Sequence, residues 1–121
     1  MKLHFNIPTG LKTEFNKELR LAKDHLAKGN FPRSWNHLER AHILGQAWPI
    51  QHTLTHWRML LFGFKIKNAK EVIGQIPRLL VGGVKSFIGE IPVGNTGGAN
   101  VSALKPMPIP DDLAKIINQY H

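Results

Sequence analysis

The chain has 121 residues, no cysteine, and a formal charge of +8 from 16 Lys plus Arg against 8 Asp plus Glu. That length predicts one domain with one core, and the absence of cysteine excludes disulfides and thiolate zinc sites. The positive balance favours polyanions, but the cations are dispersed from Lys12 to Lys70 with no run of five and no interleaved aromatics; this pattern argues for a solvated basic surface rather than a nucleic-acid stripe.

The first residues, MKLHFNIPTGLKTEFNKELR, contain no apolar core of a signal peptide. No segment holds the roughly 18 consecutive apolar residues of a membrane span, so a soluble, cytoplasmic protein is expected. Pro8-Thr9-Gly10 punctuates the start of a helix expected from about Leu11 to Lys28. Gly29-Asn30 ends it, and Pro32 suits the first turn of a second helix running to about Leu44. A third is expected from about Pro49 to Phe62, and a fourth from about Asn68 to Val81, bent at Pro77. Gly82-Gly83 breaks the pattern.

Residues 89–110, GEIPVGNTGGANVSALKPMPIP, hold four Pro and four Gly, too many for a regular helix. They are expected to form an ordered loop wrapped over the helices, with Val93, Val101, Leu104, Met107 and Ile109 as apolar anchors and glycines supplying turns. PDDLAKIINQY closes the chain as a short helix, with Asp111 and Asp112 favourably placed at its positive end. The fold class is therefore all-α: two antiparallel helix hairpins, an extended Gly/Pro-rich segment and a short C-terminal helix. The domain is single over 1–121, with a helical core at 1–88, the wrapping loop at 89–110 and the last helix at 111–121.

Sliding Gly29 onto Gly63 gives an offset of 34 residues, the period of the tetratricopeptide repeat. LAKDHLAKGNFPRSWNHLERA resembles that repeat at Leu21, Ala22, Gly29, Phe31, Ser34, Leu38 and Ala41. In the second copy Val72 matches Leu38, and His56 takes the place of the small Ala22.

The chemistry concentrates in HILGQAWPIQHTLTHW, residues 42–57. A hairpin turning near Ala47 sets His42 against His52, with His56 one turn deeper and beside Glu39. His52 and His56, four apart, share a helix face, as do Glu39 and His42, three apart. Glu39, His42, His52 and His56 are thus a candidate set for one divalent transition metal, Zn, Ni, Cu or Fe. It is not a di-iron site, because a second Glu-x-x-His is missing. The competing reading is a set of half-buried histidines satisfied by backbone carbonyls. His37, five residues from His42, is expected on the surface, and His25 in core packing. Noncovalent haem is a further alternative, with one of the three histidines as axial ligand and Trp48, Trp57, Phe62 or Phe64 lining a pocket. No nucleophile elbow or phosphate loop is present, so nothing points to catalysis.

ERAHILGQ, HTLTHWRML and IPVGNTGGANVSALKPMPIP together resemble a bacterial family catalogued as domain of unknown function 3703, over nearly the whole chain. Members are often encoded near heavy-metal efflux or resistance systems, so the resemblance implies a role in metal handling. Two function classes follow: a small metal-binding protein, or a tetratricopeptide-like interaction module that takes a protein or an acidic peptide.

Overall fold

The computed structural model describes residues 6–77, 97–98 and 107–120. Four helices have both ends in that range or at its edge: α1 (Thr9–Ala27), α2 (Phe31–Gly45), α3 (Pro49–Lys65) and, after the segment α4 described over 69–77, α5 (Asp111–Asn118). Among the described residues there is no strand. The expected course of the fourth helix beyond Pro77, and the anchors Val93, Val101 and Leu104, lie outside the described residues.

Proline opens each of these helices except α4. Pro8 and Pro110 occupy the N-caps of α1 and α5, and Pro32 and Pro49 sit in the first turns of α2 and α3. The missing amide costs nothing there, because the first turn has no intrahelical acceptor to offer it. α4 is capped by a side chain instead: Asn68 Oδ1 accepts the Glu71 amide at 3.1 Å.

α1 and α2 pack as a conventional amphipathic pair. Leu11, Phe15, Leu19 and Ala22 recur at helical spacing along α1 and meet Leu38, Ala41 and Leu44 of α2. Met59 and Phe62 of α3 and Leu113 of α5 complete the same core. Ser34 Oγ donates to the Ala22 carbonyl at 2.6 Å, so a small residue on each side lets the two backbones approach. Arg40 of α2 then ties three helices: its Nε donates to both Glu18 oxygens of α1, at 2.9 and 3.1 Å, and its Nη2 pairs with Asp112 of α5.

α1 and α3 end in the same way. At the first end the Asn30 amide donates to the His25 carbonyl and the Gly29 amide to the Leu26 carbonyl, with Gly29 at φ +75°. At the second, the Asn68 amide donates to the Gly63 carbonyl and the Lys67 amide to the Phe64 carbonyl, with Lys67 at φ +58°. Both are Schellman ends. The structural partner of Gly29 is therefore Lys67, at 67 − 29 = 38 residues, and not Gly63. The 34-residue register is corrected accordingly: α3 runs through Gly63 to Lys65 and is longer than expected, because a lysine takes the left-handed position that a glycine was expected to hold. In the corrected register Ala22 matches Leu60, and His56 matches Glu18.

Candidate metal centre

α2 and α3 run antiparallel, joined by a three-residue turn at 46–48. Trp48 is extended, at φ −114° and ψ 118°, and Pro49 starts α3 at once. The chain therefore doubles back within one turn, and residues near the end of α2 face residues near the start of α3. His42, His52 and His56 come together there, with 3%, 8% and 2% of their surfaces exposed. Their ring centroids lie 4.8–4.9 Å apart, tilted to one another by 56–72°.

The three Nε2 atoms form a nearly equilateral triangle: 3.2 Å from His42 to His56, 3.2 Å from His42 to His52, and 3.1 Å from His52 to His56. Hydrogen bonds can join at most two of its three edges at once. Each Nε2 is either a donor or an acceptor. With three atoms and two roles, at least one edge must join two donors or two acceptors. A cation that receives all three lone pairs removes the conflict.

One of the three rings has its tautomer assigned by its surroundings. Gln75, fully buried on α4, sends its Nε2 amide to the Glu71 carboxylate at 2.5 Å and to the Gly97 carbonyl at 2.9 Å. Both partners only accept, so the amide orientation is determined and Gln75 Oε1 faces His56 Nδ1 at 2.6 Å. An amide oxygen cannot donate. His56 therefore carries its proton on Nδ1, and in the neutral ring its Nε2 lone pair points into the triangle. This is the outer-shell arrangement that orients metal-ligating histidines.

Gly97 closes the other side. At φ +85° it adopts a backbone shape that glycine tolerates best, and it lies directly on His42: a Cβ there would stand 2.5 Å from Cδ2 and 2.8 Å from Nε2. Residues 97 and 98 are both buried. Part of the Gly/Pro-rich segment therefore rests on the histidine cluster, and Gly97 supplies the turn conformation expected of its motif.

Of the four residues singled out from sequence, His42, His52 and His56 form a group whose ligand atoms lie within 4.8 Å of one another. Glu39, half-buried on α2, is not part of that group. His37 is not a surface residue. It stacks on His25, centroids 5.4 Å apart and rings within 3° of parallel, and its Nδ1 lies 3.1 Å from Glu18 Oε1. His25 accordingly packs against α2, away from the triad. The aromatics offered for a haem pocket disperse: Trp57 and Phe64 are exposed, while Phe62 packs on Trp35 and Phe31.

Gln75, Glu71 and Gly97 were not anticipated. Only the α3–α4 register, which sets Gln75 against His56 and Val72 against Gly63, reveals the first two. Gly97 carried a signal, since it sits in the most distinctive motif of the chain.

Residues 9–117 match the family described as protein of unknown function (DUF3703). The chain belongs to this family. The match runs from the start of α1 into α5 and so includes the triad, Gln75 and Gly97. No curated protein and no solved structure matches the chain.

Proposed function

We propose that this DUF3703 member binds one divalent transition-metal ion through Nε2 of His42, His52 and His56. The observation that carries the reading is the buried Nε2 triangle with the His56 lone pair committed inward. Nε2 separations of 3.1–3.2 Å would suit three bonds of about 2.0–2.1 Å to one shared ion.

Three neutral imidazoles favour borderline ions, Zn²⁺, Ni²⁺, Cu²⁺ or Fe²⁺, over the oxygen-seeking Mg²⁺ and Ca²⁺. Beyond the triad, Gln75 links His56 to Glu71 and would hold that ring for an ion. A fourth position would fall to water or to Glu39. This describes binding rather than turnover, in keeping with a role in metal handling.

The test is elemental analysis of the purified, untagged protein, followed by calorimetric titration with Zn²⁺, Ni²⁺ and Cu²⁺. One equivalent should bind. His52→Ala and His56→Ala should each abolish it with the helical circular-dichroism signal retained, and Glu39→Gln should lower affinity only if Glu39 fills the fourth position. Identical titrations of the wild type and a His52/His56 double variant would overturn the reading.

A further inference from the structure

α3 presents apolar side chains on both faces. Its inward face buries Gln51, His52, Thr55 and His56 together with Met59 and Phe62. Its outward face carries Ile50, Leu54, Trp57, Leu61 and Phe64, with 60%, 36%, 48%, 43% and 60% of their surfaces exposed. These five follow one another at spacings of four, three, four and three. That is the heptad spacing a helix uses to seat another helix, and on an ideal helix the five fall within an arc of about 80°.

The exposure is too large to be scattered surface. Taking about 200 Å² for a large apolar side chain, these five leave on the order of 500 Å² uncovered. That matches the largest apolar patch on an ordinary monomer, which is often functional. The stripe also has recesses at both sides. Leu61 joins Leu26 of α1 around a hollow of about 90 Å³, rimmed by Lys23 and Arg58. Phe64 and Ile73 share a groove of about 330 Å³ whose rim includes Lys67.

Charge decides what fits. From Arg40 to Lys70 the sequence contains no acidic residue, so every full charge on α3 and on the turn after it is positive: Arg58, Lys65, Lys67 and Lys70. The next carboxylate, Glu71, is buried and bonded to Gln75. A second copy of the chain would bring this positive rim against itself. An acidic helix would bring carboxylates to it.

We propose that the outward face of α3 is a docking site for an acidic amphipathic helix of a partner protein, its apolar a/d residues seated on Ile50, Leu54, Trp57, Leu61 and Phe64 and its carboxylates on Arg58, Lys65 and Lys67. The site lies on the opposite face of α3 from the histidines and stands whether or not the triad binds metal.

The test uses the full-length protein and a fluorescently labelled synthetic helix of three heptads, with Leu at a and d and Glu at the flanking positions. The comparison peptide has Lys in place of each Glu. The acidic peptide should bind saturably, shift Trp57 emission to the blue, and weaken about tenfold or more between about 50 and about 500 mM salt; the basic peptide should not bind. Leu54→Glu with Leu61→Glu should abolish binding at an unchanged unfolding temperature, because both side chains are exposed. Arg58→Glu with Lys65→Glu, which leaves the five apolar residues of the stripe in place, should reverse the preference between the two peptides. The proposal is overturned if both peptides bind equally or neither does. It is equally overturned if vesicles of phosphatidylcholine and phosphatidylglycerol produce the blue shift while the acidic peptide does not. Concentration-dependent dimerisation that is lost in Leu54→Glu/Leu61→Glu would assign the face to a second copy instead.

Discussion

The α1–α2 and α3–α4 hairpins turn with the same Schellman geometry and are cross-linked at matching positions. Glu18 reaches His37 and Arg40 in the first, and His56 reaches Gln75 in the second. The offsets agree, 56 − 18 and 75 − 37 both being 38, as for the two caps. What differs is the chemistry placed on this frame. In the first hairpin the cross-link joins charged groups at the edge of an apolar core, and its work is structural. In the second it is an amide that can only accept from His56, and it leaves a lone pair aimed at two further histidines. α3 also buries Gln51, His52, Thr55 and His56 beside its core residues Met59 and Phe62, and exposes an apolar stripe. Buried polar groups are costly unless satisfied, and exposed apolar ones forgo the main driving force of folding. Both costs support the binding roles proposed for α3, whereas α1 serves the core.

That contrast breaks most directly at one core residue of α1 and one outward residue of α3. Phe15→Ala, which empties a fully buried ring position on α1, should cost about 3–5 kcal/mol in denaturant unfolding. Leu54→Ala on the outward face of α3 should stay within about 0.5 kcal/mol. Comparable losses at the two sites would mean that α3 contributes to the core in the ordinary way.

Metal should act where the triad joins α2 to α3, and not through the Glu18 cross-link. Free Zn²⁺ at about a hundredfold excess over its dissociation constant should add about 2.7 kcal/mol to unfolding, with the gain absent from the His52/His56 double variant and retained in His37→Ala. Loss of the gain in His37→Ala would erase the distinction between the two cross-links.

Gln75→Leu sharpens the role assigned to the amide. Metal affinity should fall about 10- to 100-fold. In the metal-free protein the imidazole nitrogen shifts of His56 should lose the Nδ1–H pattern expected of the wild type. An unchanged tautomer would show that Gln75 does not set it, whatever the metal titration gives.

Gly97→Ala should cost about 1–3 kcal/mol through its positive φ, together with the clash against the His42 ring. Thermal unfolding measures the sum, and no change would mean that residues 97–98 do not rest on the cluster. The smallest effect belongs to Asp112. The Arg40 hydrogen bond holds its carboxyl below the usual carboxylate range. A depressed value means that the pair stabilises fully above the ordinary range and loses that contribution as pH falls through the lowered one. Because Asp112 is largely exposed, Asp112→Asn should cost only about 0.5 kcal/mol at neutral pH, and nothing once the carboxyl is protonated.

Much of this frame is legible in residue order. Prolines 8, 32, 49 and 110 mark helix starts through a property of single residues, and Gly29 marks a helix end for the same reason. His52 and His56 share a face by spacing alone, and a short turn near Ala47 brings His42 to them. The repeat register was misread because Lys67, which carries no glycine signal, takes the left-handed position at the end of α3. The same spacing sets Glu39 on the face of His42, and whether it joins the cluster is for the Glu39→Gln titration to decide.

Local sequence, then, determined the helices, their order and the meeting of three histidines, because helix periodicity, proline geometry and a tight turn act over a few residues. Tertiary structure alone decided what those histidines become. Which way the His56 proton faces depends on Gln75, nineteen residues away; the orientation of Gln75 depends on Glu71 and Gly97; and the cover on His42 comes from Gly97, fifty-five residues on. Hydrogen-bond direction is set by the partner across the interface, and no pattern along one helix carries that information.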